Sequence, residues 1–598
     1  MQQRNLELAL IGNGAIGALI DKKAEIVWSC YPRFDGHPIF CSLLKTDSPE
    51  TISGTFAIDL VDFDHSEQHY EHNTAILKTY LYDSRGNGVE ITDFSPRFQQ
   101  YGRTHRPTTI IRKLSPIGSP KIKLRVRPCS KDGGSEIERV QGSNHIRFVC
   151  TDFSLRATTD ISVCSIIDET VFVLGETKHI IFGADESVQE PIAQLAERFL
   201  TDTETYWLEW TRYLAIPFEW QEAVIRAAIT LKLSAYEDTG AIIAAMTTSI
   251  PEAADTTRNW DYRFCWLRDS FFTVHALNRL GVTRTMEQYL QYLINIVATM
   301  GDEPLQPVYC INGKKEMPER TLTEMQGYRG MGPVRIGNQA AEQIQHDVYG
   351  AMILSATQMF FDERIRRRGD EALFQLLETI GERALLNYNQ PDAGLWELRG
   401  SKHVHTFSSM MCWAAADRLA KIARKLEQTK RAQYWQAHAD RMHQEIDEKG
   451  YNKELQSYTA AWGGDTLDAS LLLAVELGFV KPNNPRFLST LAAIEKYLRP
   501  AGSKYLFRYI VDDDFGAPEN AFTICSFWYI DALAAVGRKQ EARELFEDLL
   551  SRRNHLGLMS EDLNPETGEL WGNFPQTYSL VGIINSARML SKTWEEEL

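Results

Sequence analysis

Three stretches of the chain carry side chains suited to chemistry on a neutral, hydroxyl-bearing substrate. The first is Arg258-Asn259-Trp260-Asp261-Tyr262-Arg263-Phe264-Cys265-Trp266-Leu267-Arg268-Asp269, with two Trp, three Arg and two Asp in twelve residues. Arg beside Asp offers donor and acceptor together, which adjacent hydroxyls need, and the rings offer an apolar floor. A salt-bridged helix start would also explain part of this density. The second stretch is Gly394-Leu395-Trp396-Glu397-Leu398-Arg399-Gly400, and the third runs from Gly557 to Glu569 around Glu561. Each sets a carboxylate beside apolar residues. Two carboxylates facing across one pocket suit glycosidic bond cleavage, one as acid to the leaving oxygen and one as base or nucleophile. A lone loop glutamate is more often a solvated charge, so the reading depends on a fold that brings the two together.

The elements that must position them follow from periodicity. From about 219 onward apolar residues recur at helical spacing, as in Val224, Ala227, Ala228, Leu231 and Ala235, which makes one buried helical face. About twelve such segments can be marked, near 219–236, 267–280, 283–300, 339–361, 368–388, 405–426, 430–447, 465–477, 485–499, 519–536, 538–553 and 575–593. Short and long connections alternate between them, which predicts six helical hairpins with six long loops on one face. The Glu397 and Glu561 loops are third and sixth, so a closed ring sets them opposite each other. Long loops in a compact domain usually carry function. The second ends in Gly327-Tyr328-Arg329-Gly330-Met331-Gly332-Pro333-Val334-Arg335-Ile336-Gly337-Asn338. It lacks the lysine and the strand–helix context of a phosphate loop and reads as a pocket wall, with Arg335 and Asn338 as ligand contacts. Trp260, Trp266, Trp396, Trp462 and Trp571 all fall on long loops, where rings suit the apolar faces of sugars or plug the mouth of the ring.

Residues 1–190 read instead as short strands separated by Gly, Asp, Ser and Asn, which predicts a β-sandwich. Residues 191–218 read as a helical linker, and 219–598 as the ring. Gly12-Asn13-Gly14-Ala15-Ile16-Gly17 matches a dinucleotide fingerprint, but ALIDKKAEIVWSC follows. That is strand, turn and strand rather than a helix, so the glycines read as a turn in a β domain.

Composition removes whole classes of function. A chain of 598 residues exceeds one ordinary core, which stops growing at roughly 250–300 residues. The formal net charge of −16 disfavours nucleic acid and anionic membranes as partners. Nine scattered Cys with no CxxC pair form neither a disulfide framework nor a zinc site. His403-Val404-His405 and Asp512-Asp513-Asp514 lack metal-site spacing and read as surface groups. No GxSxG elbow is present. The N-terminus reads poorly as a signal peptide and no run of 18 apolar residues occurs, so the expectation is a cytoplasmic protein. Homo-oligomerisation is left open.

These motifs resemble glycoside hydrolase family 15, the glucoamylase-type enzymes. IGNGAIGALIDKKAEIVWSCYPRFDGHPIFCSLL is similar to the N-terminal, trehalase-like β domain of its bacterial members. RNWDYRFCWLRD, GYRGMGPVRIGNQAAEQIQHDVYG, GLWELRG, SFWYIDALAAVGR and GLMSEDLNPETGELWGNFPQTYS resemble the barrel motifs, in order along the chain. The resemblance implies an all-β (super-)sandwich followed by an all-α (α/α)6 barrel, an inverting mechanism, and no metal or organic cofactor. It implies Glu397 as general acid and Glu561 as general base. Arg268 and Asp269 would hold the hydroxyls of the terminal glucose. Tyr262 would stand near the developing oxocarbenium ion, with Trp266 and Trp396 as walls and Arg399 at the next sugar. Glu397 is expected in an apolar setting that keeps its proton, and Glu561 in polar surroundings that keep it ionised. The main expectation is exo-acting release of β-glucose from α-1,4 or α-1,6 gluco-oligosaccharides, and the alternative is α,α-trehalose hydrolysis. Further alternatives are a phosphorylase or glucosyltransferase on the same barrel, and an inactive glucan-binding protein.

Overall fold

The computed structural model describes residues 4–48, 50–134, 137–301, 303–500 and 502–597. The N-terminal part forms two antiparallel sheets laid face to face. One runs in the order Leu8–Gly12, Gly17–Asp21, Ile26–Tyr31, Thr55–Leu60, Lys121–Arg127, Phe172–Val173, with His37–Phe40 on the third strand. The other runs Glu138–Gln141, His145–Val149, Ser154–Thr159, Lys178–Ala184, Thr109–Ile117, Gly88–Phe94, Leu77–Asp83, Phe63–Tyr70. Alternation along strands such as Leu77–Asp83 turns one side chain in two toward the core. Phe40 and Phe56 of the first sheet meet Phe182 of the second, the closer ring centroids 5.0 Å apart. Arg112, fully buried, pairs in a fork with Asp93 of its own sheet at 2.7 and 3.0 Å and reaches across to the Phe56 carbonyl at 3.0 Å. Gly12 and Gly17 are register partners in the first hairpin, so the glycine-rich motif is a strand turn.

Helix Ile192–Arg212 leads into the second unit. Six elements there form an inner ring, Leu267–Arg279, Asp347–Phe361, Thr406–Lys425, Ala469–Ala474, Thr523–Ala535 and Thr577–Leu590, each packed on the next and the last on the first. Six others, Gln221–Leu233, Thr283–Met300, Glu371–Asn387, Thr429–Lys449, Pro485–Tyr497 and Lys539–Leu550, stand outside them. The chain alternates outer and inner, so every long loop joins the end of an outer helix to the start of an inner one. All six loops and all six inner N-termini therefore share one face, where the inner dipoles present their positive ends. The eighth expected helix, 465–477, is shortened to a six-residue 3-10 turn, capped when Asp468 accepts from Ser470 N. Its ASLLLA run is buried all round and has no solvent face to sustain an amphipathic helix. The helix expected from 339 begins at Asp347, because 339–342 forms a separate turn capped by Asn338. No helix among the described residues is long and apolar enough to cross a membrane.

The two units share a continuous core and several buried polar contacts. Trp28 Nε1 donates to the Met246 carbonyl at 2.7 Å, and Asn554 Nδ2 donates to the carbonyls of Leu6 and Leu8 at 3.0 and 2.8 Å. Glu237, at the start of the first barrel loop, is held by Arg97 of the β unit at 2.5 Å and by Lys232 of the barrel. Burial alone would raise the Glu237 carboxyl, but these two cations outweigh it and hold it well below the usual carboxylate range. A depressed carboxylate contributes stability above its ordinary pKa and loses it as pH falls through the folded value. Glu237→Gln removes that contribution at neutral pH and leaves two buried cations unpaired. It should cost about 3–5 kcal/mol, read as a lower denaturation midpoint for the variant and a smaller difference from wild type at acid pH.

Candidate active site

The loop face holds a cavity of about 850 Å³, counting its open mouth, lined among others by Trp260, Tyr262, Trp266, Arg268, Asp269, Trp396, Glu397, Arg399, Arg508 and Tyr578. Of the residues singled out from sequence, Tyr262, Trp266, Arg268, Asp269, Asn338, Trp396, Glu397 and Arg399 line it. Arg335 does not, and Glu561 stands behind Tyr262, fully buried.

Glu397 lies on the third long loop with a positive φ of 62°. A non-glycine side chain is held in that region only when its surroundings fix it. Here they do. Glu397 N donates to the Gly394 carbonyl at 3.2 Å, Gln343 Nε2 donates to the Glu397 carbonyl at 3.0 Å, and neighbouring Trp396 is tied through Nε1 to Asp468 at 2.7 Å. The carboxylate then accepts from Trp266 Nε1 at 2.7 Å and Gln345 Nε2 at 3.3 Å, both on Oε1. Burial raises its pKa, and Arg268, 3.7 Å away, together with these two donors only partly offsets the rise. A carboxyl whose pKa is raised can donate a proton, and with Oε1 accepting twice that proton would sit on Oε2.

Glu561 sits in a three-stranded patch where Asp562–Leu563 pairs with Ala521–Phe522 and with Leu570–Trp571. Gly572, at φ 73°, lies so close that a Cβ there would meet Glu561 Cβ at 2.7 Å and Oε2 at 2.9 Å, so only glycine fits. Tyr262 OH donates to Glu561 Oε1 at 2.6 Å. The polar surroundings expected from Ser560, Asp562 and Asn564 do not form. Ser560 Oγ turns to the Asp562 carbonyl, Asn564 turns to Asn520 and its own turn, and Asp562 is itself buried. Burial and the Glu252 carboxylate therefore push Glu561 up to about 8, against the pull of Tyr262 and Arg508. The two carboxylates bracket one aromatic pair, because Tyr262 holds Glu561, Trp266 holds Glu397, and their ring centroids are 5.4 Å apart.

At the floor, Arg268 begins the first inner helix. It donates from Nη1 to Gln345 and to Asp347, each at 3.0 Å, and lies 3.7 Å from Asp269. Burial pushes Asp269 up to about 6 despite Arg268. At the mouth, Arg335 and Arg399 both lie over the Trp260 ring, 4.9 and 4.6 Å from its centroid. Arg335 turns its guanidinium to the Thr257 and Asn259 carbonyls at 2.9 and 2.8 Å, so it is held by the protein wall rather than lining the cavity. Arg399 donates to Glu319 at 2.8 Å and Gln339 at 2.9 Å, while Asp514 accepts from the backbone of Arg399 at 2.6 Å and Gly400 at 3.0 Å. Asn338 lines the cavity, but its amide caps the 339–342 turn and donates to the Asp261 carbonyl at 3.2 Å.

Several site residues were missed from sequence. Glu252 accepts from Trp260 Nε1 at 3.0 Å and Arg508 at 2.7 Å. Asp513, read as surface, is a half-buried partner of Arg258 at 2.6 Å. His405, likewise read as surface, is buried against Asp392 at 2.7 Å. The pairing of Arg508 with the rings Phe507 and Tyr509 was the available signal. Of the five loop tryptophans, Trp260, Trp266 and Trp396 line the cavity. Trp462 and Trp571 are wall packing, the latter against Tyr328. Buried polar atoms with no protein partner gather here, among them Asp347 Oδ1, Arg508 Nε, Glu561 Oε2 and Tyr578 OH. Such a cluster marks a site that binds polar groups.

Removing the Tyr262 hydroxyl takes away the hydrogen bond that favours ionised Glu561. Tyr262→Phe should lower kcat/KM by about ten- to a hundredfold at acid pH, the worth of one hydrogen bond to a charge, and by much less on the alkaline side. A pH profile of the variant checks this, and a uniform loss at every pH contradicts it.

Residues 220–588 match the model of glycosyl hydrolases family 15, and residues 3–159 match that of a trehalase-like N-terminal domain. A protein named trehalase from Thermoplasma volcanium is 30% identical over 97% of this chain and 93% of its own length. Another named trehalase, from Mycobacterium tuberculosis, is 35% identical over 99% of this chain and 90% of its own. A bacterial glucoamylase solved in complex with acarbose superposes with a TM-score of 0.70 at 14% identity, over 98% of this chain and 94% of that one. At that identity the likeness shows the fold, an N-terminal antiparallel β unit followed by an (α/α)6 barrel.

Proposed function

The chain belongs to glycosyl hydrolase family 15 and is a glycosidase, and from that premise we propose that it hydrolyses α,α-trehalose with inversion. The observation that carries the reading is the near full-length similarity to proteins named trehalase. The gluco-oligosaccharide reading draws on a likeness of fold alone. At the mouth, Arg399 lies over Trp260 and is fixed to Glu319 and Gln339. Trehalose is two glucose units joined through both anomeric carbons, so a site for one sugar and its neighbour is all it needs.

In this reading Glu397 protonates the glycosidic oxygen from Oε2 as the bond to the departing glucose breaks. Glu561 takes a proton from the water that attacks the opposite face of the anomeric carbon, using Oε2, which no protein group occupies. Tyr262, beside the reacting carbon, holds the base in place and lowers its proton affinity. Arg268 and Asp269 grip hydroxyls of the reacting glucose, and Trp266 and Trp396 flank its faces. Positive charge developing on the sugar ring is stabilised by the carboxylates that bracket it.

Stereochemistry tests the reading directly. Inversion at one anomeric carbon gives β-glucose, while the departing sugar keeps its α configuration, so early NMR spectra should show α- and β-glucose in equal amounts. Retention would give α-glucose alone. Across trehalose, maltose, maltotriose, isomaltose, panose, kojibiose and nigerose, trehalose should have the highest kcat/KM. A preference for maltotriose or panose would return the gluco-oligosaccharide reading, and glucose 1-phosphate formed in phosphate buffer would indicate phosphorolysis. Glu397→Gln and Glu561→Gln should each lower kcat by roughly 10²–10⁴-fold, and unchanged turnover in either would remove that residue from its role.

A further inference from the structure

Away from the cavity, the β unit buries a second cluster of reactive groups. Cys41 Sγ lies 3.6 Å from Cys129 Sγ, and both thiols are fully buried. Lys45, itself buried, points its ammonium at Cys129 Sγ from 3.4 Å while donating to Ser53 Oγ at 2.7 Å and the Gly133 carbonyl at 3.0 Å. The backbone holds the arrangement. Cys129 N donates to the Ile39 carbonyl at 2.7 Å and Cys41 N to the Gly54 carbonyl at 2.8 Å, which sets the two cysteines on adjacent segments. Gly54, at φ 75°, covers both sulfurs, and a Cβ there would stand 2.6 Å from Cys41 Sγ and 3.1 Å from Cys129 Sγ. A lysine ammonium committed to a sulfur is an unusual thing to bury unless the sulfur carries negative charge.

We propose that Cys41, Cys129 and Lys45 form a modification site for small peroxides, in which Cys129 is the attacking thiolate and Cys41 the resolving thiol. Lys45 stands on Cys129, and the hydrogen bond from Cys41 with that charge pulls the Cys129 pKa down, while the bond to Cys129 and burial raise that of Cys41; the contact with Lys45 thus assigns the two duties. The Cys129 thiolate attacks one oxygen of hydrogen peroxide, the O–O bond breaks, and the departing hydroxide takes a proton from Lys45 to become water. The sulfenic acid left on Cys129 is then attacked by Cys41. The S–S bond forms as the S–O bond breaks, and the hydroxyl leaves with the Cys41 proton as a second water. Two electrons pass from the sulfurs to the peroxide, and Lys45 recovers its proton from solvent. Half-buried Ser53, on Lys45, gives the pocket a polar edge toward solvent.

The link would tie together two loops that support the active-site wall. Leu44 O accepts from Gly327 N at 2.9 Å, and Gly133 lies against Met325, its Cβ position 3.2 Å from Cε. The same barrel segment presents the Met331 and Pro333 carbonyls that hold Asn259.

The test uses the full chain and hydrogen peroxide. After reaction and quenching, thiols are counted with N-ethylmaleimide under denaturing conditions and the peptides are mapped. Two of the nine thiols should disappear together, the mass should fall by two hydrogens, one linked peptide should contain Cys41 and Cys129, and dithiothreitol should reverse the change. Cys41→Ser should stop at a sulfenic acid on Cys129 that dimedone traps. Lys45→Met should slow the loss of thiols by about tenfold or more. Nine thiols persisting in wild type at peroxide levels that oxidise glutathione would overturn the proposal. So would a linked pair other than Cys41–Cys129, or a Lys45→Met variant as fast as wild type.

Discussion

Two carboxylates have to be buried at one site, and burial raises the pKa of both. Everything around the cavity answers to that constraint. For Glu397 in its proposed role as acid the rise is useful, and Arg268, Trp266 and Gln345 offset it only in part. For Glu561 as the proposed base the rise is costly, and it is countered by the Tyr262 hydroxyl placed directly on the carboxylate. Glu252 works against that correction, since it adds negative charge beside Glu561. It also anchors Arg508 and Trp260, the cation and the ring that shape the wall. The site is thus a compromise between wall rigidity and proton affinity.

The fold supplies this setting through one topological rule. Each hairpin goes up on the outside and comes back on the inside, so the starts of six inner elements converge on the same face as the six long loops. This is why Arg268, Asp269 and Asp347 can be delivered by first helical turns, while Glu397 and Glu561 come from irregular backbone. The helices set the floor, where geometry has to be stiff. The loops set the two proposed catalytic carboxylates, where a positive φ at Glu397 and a glycine at 572 are needed.

Much of this was legible in the sequence. Helical periodicity and alternating loop lengths were enough to order the hairpins and to put the Glu397 and Glu561 loops across a ring. What periodicity could not show was the fully buried turn at 469–474, which has no polar face to reveal its register. Nor could local sequence show the partners of a buried charge. Glu561 has Ser560, Asp562 and Asn564 as chain neighbours, which suggested a polar setting, yet in space it faces Tyr262, Glu252 and Gly572, up to some 300 residues away. The setting of Arg335 was hidden for the same reason, because Trp260 and two carbonyls on another loop hold it. The tripeptide Asp512–Asp514 looked like a solvated charge run, but two of its members are tied to Arg258 and to the backbone at Arg399.

The hold of Asn554 on the carbonyls of Leu6 and Leu8 joins the loop that carries Glu561 to the first strand of the chain. Ring closure, between Thr577–Leu590 and Gln221–Leu233, joins the end of the barrel to its beginning. Both are contacts of very long sequence separation, and the chain entropy they cost must be met before they reward it. As the polypeptide emerges from the ribosome, the β unit and the first hairpins can fold while the base, its glycine and the closing helix are still unmade. In the assignment proposed above, a chain still short of its last hairpin holds the acid but not the base. On that assignment activity arrives only with the last hairpin, and unfinished molecules are silent by construction.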